Sequence, residues 1–287
     1  MSGDNTDARP NLHKDKSSPI PPTNVHITVP KYNELKDATF VYNMRHKKRG
    51  LCLIINNQEF YPSTGMNTRN GSDVDRDGLK KAFKHVGFSQ EDIMVRDNLT
   101  CDQMMSLLRA AATEYDYSDS DCFVCCILSH GEKDILYGID GEIPLDKLTE
   151  PFKGAQGLLG KPKLFFLQAC RGDKLDSGGI VDDAGPEPES PKKFYRIATE
   201  SDFLMAYSVV PGYYSWRNSR NGSWFVQALV DVMMRDGRRL EIHQILTRVN
   251  YLVSYSFESN AAQAYMTQKK QSPCIESRLT KELWFHK

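Results

Sequence analysis

The chain has 287 residues, enough for one large α/β domain or two small ones with a sizeable core. Its 37 lysines and arginines balance 37 aspartates and glutamates, which gives no reason to expect nucleic acid or a membrane surface as partner. No stretch is apolar enough to span a bilayer and no signal-peptide pattern opens the chain, so a cytoplasmic protein without disulfides is expected, its 7 cysteines lying partly inside apolar runs.

The first thirty-odd residues are rich in Pro, Ser, Asp and Lys without periodicity and are expected to be a disordered tail. "HKKRG", His46 to Gly50, reads as a solvated basic face ahead of the first strand, "LCLII" at Leu51 to Ile55. "DVDRDG", Asp73 to Gly78, has the spacing that opens a calcium-binding loop, but position twelve of that loop would be Lys84, where a bidentate glutamate is required. The aspartates are better placed at the N-terminus of a helix whose stripe is Leu79, Ala82, Phe83 and Val86. Met104, Leu107, Leu108 and Ala111 mark a second helix, and Thr100 with Gln103 supplies its capping box.

Three further apolar runs predict strands: "CFVCCIL" at Cys122 to Leu128, "KLFFLQ" at Lys163 to Gln168 and "FLMAYSVV" at Phe203 to Val210. Cys122 and Cys125 have C-x-x-C spacing, but without a second pair, in a buried strand, they read as core and not as a zinc site. Two more helical stripes follow, from Trp224 to Met233 and from Ile242 to Val253. The alternation gives an α/β fold with a mostly parallel sheet covered on both faces. The segment Gly172 to Lys193, acidic and rich in glycine and proline, has almost nothing to pack and reads as a functional loop.

Two of the predicted strands end in reactive residues, Ser129-His130-Gly131 after one and Gln168-Ala169-Cys170-Arg171-Gly172 after the other. Parallel strands present their C-terminal ends on one edge, where open α/β folds place their sites. Histidine beside cysteine is the pairing that nucleophilic thiol chemistry needs. Gly131 lets its N–H approach a reacting carbonyl unhindered, and the N–H of Cys170 would be the second donor of an oxyanion hole.

"SHG" and "QACRG", with "STGMNTRNGSDVD", "GKPKLFFLQACRGD", "PGYYSWRNSRNGSWF" and "PCIESRLTKELWF", resemble the caspases, cysteine proteases that cut after aspartate, and among them the executioner or effector group with short prodomains. The resemblance implies Cys170 as nucleophile, His130 as general acid and base, and Gly131 with Cys170 as oxyanion hole, a backbone carbonyl completing the triad. It implies that Arg69, Arg217 and Gln168 bind the substrate aspartate, that Tyr214 and Trp216 wall the next pocket, and that Ser215 between them binds substrate. Asn218 and Trp224 match positions further out, where executioners prefer a second aspartate; core packing is the competing reading of Trp224.

The same resemblance implies a three-layer caspase-like fold with a prodomain over 1–38, a large catalytic subunit over 39–183 and a small subunit over 184–287. An activation linker at about 172–193 joins the two. "IVDD" ending at Asp183 looks like a site for an upstream initiator caspase, and "DNTD" ending at Asp7 like one that the active enzyme trims itself. The expected partners are protein substrates with exposed Asp motifs, a second copy of the chain paired through "CIESRLTKELWF", and protein inhibitors of apoptosis. No nucleic acid, membrane, metal or organic cofactor is expected. The rival readings are a caspase-like scaffold or decoy without catalysis, disfavoured by having both His130 and Cys170, and a related peptidase with basic specificity, disfavoured by Arg69 and Arg217.

Overall fold

The computed structural model describes residues 37, 39–172, 174–176, 198–259 and 264–286. The expected tail, the cleavage positions Asp7 and Asp183 and most of the linker lie outside the described residues. In chain order the strands are β1 (Cys52–Asn56), β2 (Ile93–Asp97), β3 (Phe123–Leu128), β4 (Gly131–Glu132), β5 (Ile135–Tyr137), β6 (Glu142–Pro144), β7 (Lys163–Gln168), β8 (Phe203–Tyr207), β9 (Arg217–Asn218), β10 (Gly222–Ser223) and β11 (Cys274–Ser277). The α-helices are α1 (Ser72–His85), α2 (Cys101–Thr113), α3 (Leu145–Thr149), α4 (Trp224–Asp236) and α5 (Ile242–Ser256).

Among the described residues six strands form the main sheet in the order β11-β8-β7-β3-β1-β2, all parallel except β11, which runs antiparallel to β8 at the edge. The side-chain alternation of its central strands divides the core in two. Cys52, Ile54, Val124, Cys126, Leu164 and Phe166 face α1, α4 and α5. Leu53, Ile55, Phe123, Cys125, Phe165 and Leu167 face the side covered by α2 and α3. Each such apolar side chain taken fully from water contributes about 1.5–3 kcal/mol, so covering both faces is what makes near-continuous apolar runs stable as strands. The sheet continues from β7 into β8, so the two expected subunits share one core.

The helices form where the stripes predict them. The Thr100–Gln103 capping box is present at α2, and Asp73 and Asp75 lie in the first turn of α1. The predicted strand at Phe203 to Val210 is shorter, because Ser208 turns its hydroxyl to the Ala169 carbonyl and leaves the ladder after Tyr207. Strand β2 carries no strong signal, since only its first residue is buried. The basic cluster at His46 to Gly50 is corrected in part: Arg49 is buried, donating to Asp121 at 2.8 Å and to the carbonyls of Met44, Val86 and Phe285. Cys122, Cys125 and Cys126 are buried in the β3 region as core thiols. No helix among the described residues is long and apolar enough to cross a membrane.

Candidate active site

Strands β3 and β7 pair in a register that sets Leu128 opposite Gln168. Two residues beyond that matched pair lie His130 on one strand end and Cys170 on the other. Two positions remote in sequence therefore meet at one sheet edge, and both line a cleft of about 250 Å³. Ser129 keeps the ends in step by donating its N–H to the Gln168 carbonyl at 3.1 Å and its hydroxyl to the Tyr137 carbonyl at 2.6 Å.

Gly131 has a second reason to be glycine besides leaving its N–H accessible. A Cβ there would stand 2.8 Å from the Cys170 carbonyl oxygen and 2.9 Å from the Ala169 Cβ. Any side chain would therefore pry the two strand ends apart.

The imidazole Nε2 of His130 lies 2.7 Å from the Asn67 carbonyl oxygen, and Phe60 packs on its ring at 4.8 Å between centroids. A backbone carbonyl thus orients the ring, leaving Nδ1 as the nitrogen for proton exchange. Burial lowers the basicity of His130, with Arg69 and Arg217 acting in the same direction. Burial raises the Cys170 thiol above its ordinary value, against the Ser215 N–H at 3.4 Å from Sγ and the two arginines. Both shifts favour a neutral thiol beside a neutral imidazole at rest.

Beyond the cysteine the same cleft is lined by Arg69, Gln168, Tyr214, Ser215, Trp216, Arg217 and Met266. Arg69 is 1% exposed and anchored by Nη1 to the Asn57 carbonyl at 3.1 Å. Arg217 donates Nε to the Asn70 carbonyl at 2.9 Å. Neither forms a salt bridge with a carboxylate of the described residues; burial weakens the protonated form of both. Gln168 donates Nε2 to the Ser215 hydroxyl at 2.8 Å, and its Oε1 is buried without a partner among the described residues. Two cations and an amide border the cavity, the arginines donating to backbone carbonyls, an arrangement able to receive a planar anion.

Two expected substrate residues lie outside this lining. Asn218 is exposed on β9, where its Oδ1 accepts from the N–H groups of Arg220 and Asn221 and so closes a tight turn. Trp224 is 7% exposed at the start of α4, stacked behind Trp216 at 5.7 Å and against Phe257 at 5.5 Å. It belongs to the core and supports the Trp216 wall from behind. Sequence reasoning did not identify Asn67, whose carbonyl leaves no side-chain signature. Arg171 is buried next to the cysteine, stacked on Tyr207 with 3.8 Å from Cζ to the ring centroid.

A family model described as the caspase domain matches residues 49–284. The chain is 50% identical over 253 residues to caspase-7 of Gallus gallus, covering 86% of this chain and 80% of that one. It is 45% identical over 246 residues to caspase-3 of Bos taurus, covering 85% and 87%. The crystal structure of caspase-1 from Spodoptera frugiperda superposes with a TM-score of 0.79 at 41% identity, covering 86% of this chain and 96% of that one. With a thiol and an imidazole on matched strand ends beside a cationic cleft, the chain belongs to the caspase family of aspartate-specific cysteine endopeptidases and stands with its executioner members.

Proposed function

We propose that this executioner caspase cuts protein substrates after aspartate with Cys170 as nucleophile, and that cleavage after Asp183 switches it on. The observation that carries the reading is the cleft in which His130 and Cys170 adjoin a buried and a half-buried arginine, neither with a carboxylate of the described residues in salt-bridge contact. The substrate aspartate supplies that carboxylate, each charge-assisted bond contributing about 1.5–3 kcal/mol. A neutral residue in its place leaves the cations unpaired, so rejection by about 10⁴ follows.

In the acylation step the Cys170 proton passes to His130 as Sγ bonds to the scissile carbonyl carbon. The oxyanion that forms is held by the N–H groups of Gly131 and Cys170. His130 then gives the proton to the leaving amine as the C–N bond breaks, leaving a thioester on Cys170. Water, deprotonated by His130, attacks the thioester, and the carboxylate product departs as Cys170 regains its proton.

Asp-x-x-Asp sequences on proteins are the proposed substrates, with self-trimming at Asp7 and an upstream initiator caspase acting at Asp183. The active form is a homodimer paired through edge strand β11, whose unpaired side would otherwise be bare. The site of action is the cytoplasm, and protein inhibitors of apoptosis would act on the same cleft. The test is hydrolysis of an Asp-x-x-Asp fluorogenic peptide before and after cutting at Asp183, with Cys170→Ala and Asp183→Ala beside the wild type. Activity that rises on cutting, fails to rise in Asp183→Ala and is absent in Cys170→Ala supports the reading; silence in a folded, cut dimer would move it to a non-catalytic scaffold.

A further inference from the structure

The "DVDRDG" motif opens α1, and its second aspartate does more than complement the helix dipole. Asp75 is 2% exposed, and the helix N-cap is Gly71, so its carboxylate is not spent on capping. One oxygen accepts from the Ser223 N–H at 2.8 Å, across the molecule on β10; the other, Oδ2, is buried without a hydrogen-bond partner among the described residues. Ser223 pairs with Arg217 across the β9–β10 hairpin, so its bond to Asp75 grips the hairpin that carries Arg217, and Asp75 favours the charged forms of Arg69 and Arg217 without a salt bridge to either.

The segments that bear the two arginines mesh closely around it. Gly222 has φ +86°, and a Cβ on it would stand 2.3 Å from an Asp75 carboxylate oxygen. Gly71, also at φ +86°, would place a Cβ 2.6 Å from the Asn218 carbonyl oxygen. Arg217 closes the same seam from the other side through Asn70. A buried carboxylate with one hydrogen bond is costly to keep ionised, and burial accordingly pushes Asp75 up to about 6. Charge retained at such a cost, beside two cations, calls for a use.

We propose that Asp75 is a positioning residue for the arginine pair: its carboxylate holds Arg217 in register with Arg69 while the cleft is empty. The inference rests on the reading of those arginines as the aspartate receptor. Arg69 is fixed by depth and by the Asn57 carbonyl, whereas Arg217 is half-buried on a two-residue strand. Without an internal anion the two guanidiniums repel, Arg217 swings toward solvent, and the incoming substrate must organise the pocket that Asp75 had organised.

The test uses the cut enzyme with Asp75→Asn and Asp75→Ala, reading KM and kcat on the Asp-terminated peptide and the alkylation rate of Cys170 by iodoacetamide. Asp75→Asn keeps an acceptor for Ser223 and removes only the charge. It is expected to raise KM about tenfold with kcat changed less than about threefold, alkylation by the small reagent holding its rate, and Asp75→Ala should match it. Gly222→Ala displaces the carboxylate without removing it and is expected to raise KM likewise, so the inference stays testable if an Asp75 variant fails to fold. Wild-type KM in Asp75→Asn with a raised KM in Asp75→Ala would reduce Asp75 to a hydrogen-bond anchor and overturn the proposal alone. A wild type that does not prefer Asp to Asn peptides would overturn the pocket reading and this inference with it.

Discussion

Arg49 and Arg69 are almost equally buried, 3% and 1% exposed, yet they serve opposite ends. Arg49 is paired at every nitrogen: Asp121 neutralises it and three backbone carbonyls accept from it as well. Arg69 has one carbonyl, a second arginine beside it and a cleft in front. Both guanidiniums bear the cost of leaving water, but among the described residues only the first has a carboxylate in contact, Asp75 favouring the charge of Arg69 without a salt bridge. A buried cation with no carboxylate of the described residues in contact points to a partner that arrives from outside.

That contrast can be broken experimentally by crossing stability against activity. Arg69→Gln is expected to lower kcat/KM for aspartate peptides by about 10⁴ with a much smaller loss of Tm than Arg49→Gln, because no carboxylate in salt-bridge contact is stranded. Arg49→Gln is expected to do the reverse, costing about 3–5 kcal/mol by stranding Asp121, with the folded fraction keeping its kcat/KM. Thermal melts and initial rates on the same two proteins check both, and a large loss of Tm in Arg69→Gln would erase the distinction.

A smaller effect tests the seam of the two strand ends. Gly131→Ala brings a methyl against the Cys170 carbonyl, and kcat is expected to fall by about 10² to 10³ through a displaced oxyanion donor, with a lowered Tm as the strand ends part. The resting charge state gives a pH test. With Cys170 raised and His130 lowered, the thiol is protonated and the imidazole neutral at pH 7. Iodoacetamide alkylation of Cys170 should therefore climb through the alkaline range, and a plateau reached near pH 6 would instead reveal a preformed thiolate–imidazolium pair. For His130 the sign on stability follows from its lowered value: the unfolded chain takes the proton first, so its contribution is present above the ordinary histidine range and is lost as pH falls through it. At the small end, Thr100→Ala removes the α2 capping box far from the cleft and should cost about 1 kcal/mol with activity intact, measured by urea denaturation.

Much of this was legible in the sequence because the informative patterns are local. Apolar runs marked β1, β3, β7 and β8, the stripes marked the helices, and matched strand ends followed by glycine singled out His130 and Cys170. What stayed hidden depends on partners distant in the chain. The Arg49 cluster looked solvated until Asp121 stood against it, and Asp75 read only as a helix N-terminal charge until Ser223, from a different strand, supplied its hydrogen bond. Strand β2 was missed because a half-exposed edge strand needs few apolar residues. Trp224 is half legible: the helix stripe placed it in the core, family likeness placed it at a pocket, and its stack behind Trp216 accounts for both signals.

The central claim, that the two arginines without a carboxylate in contact form a receptor for the substrate's aspartate, is tested most directly by one ratio. It is kcat/KM for peptides identical except for a terminal Asp or Asn, measured on the cut wild-type enzyme. The account predicts a ratio of about 10⁴ in favour of Asp. A ratio near one, with Cys170-dependent hydrolysis intact, would contradict it and assign Arg69 and Arg217 some other charge to hold.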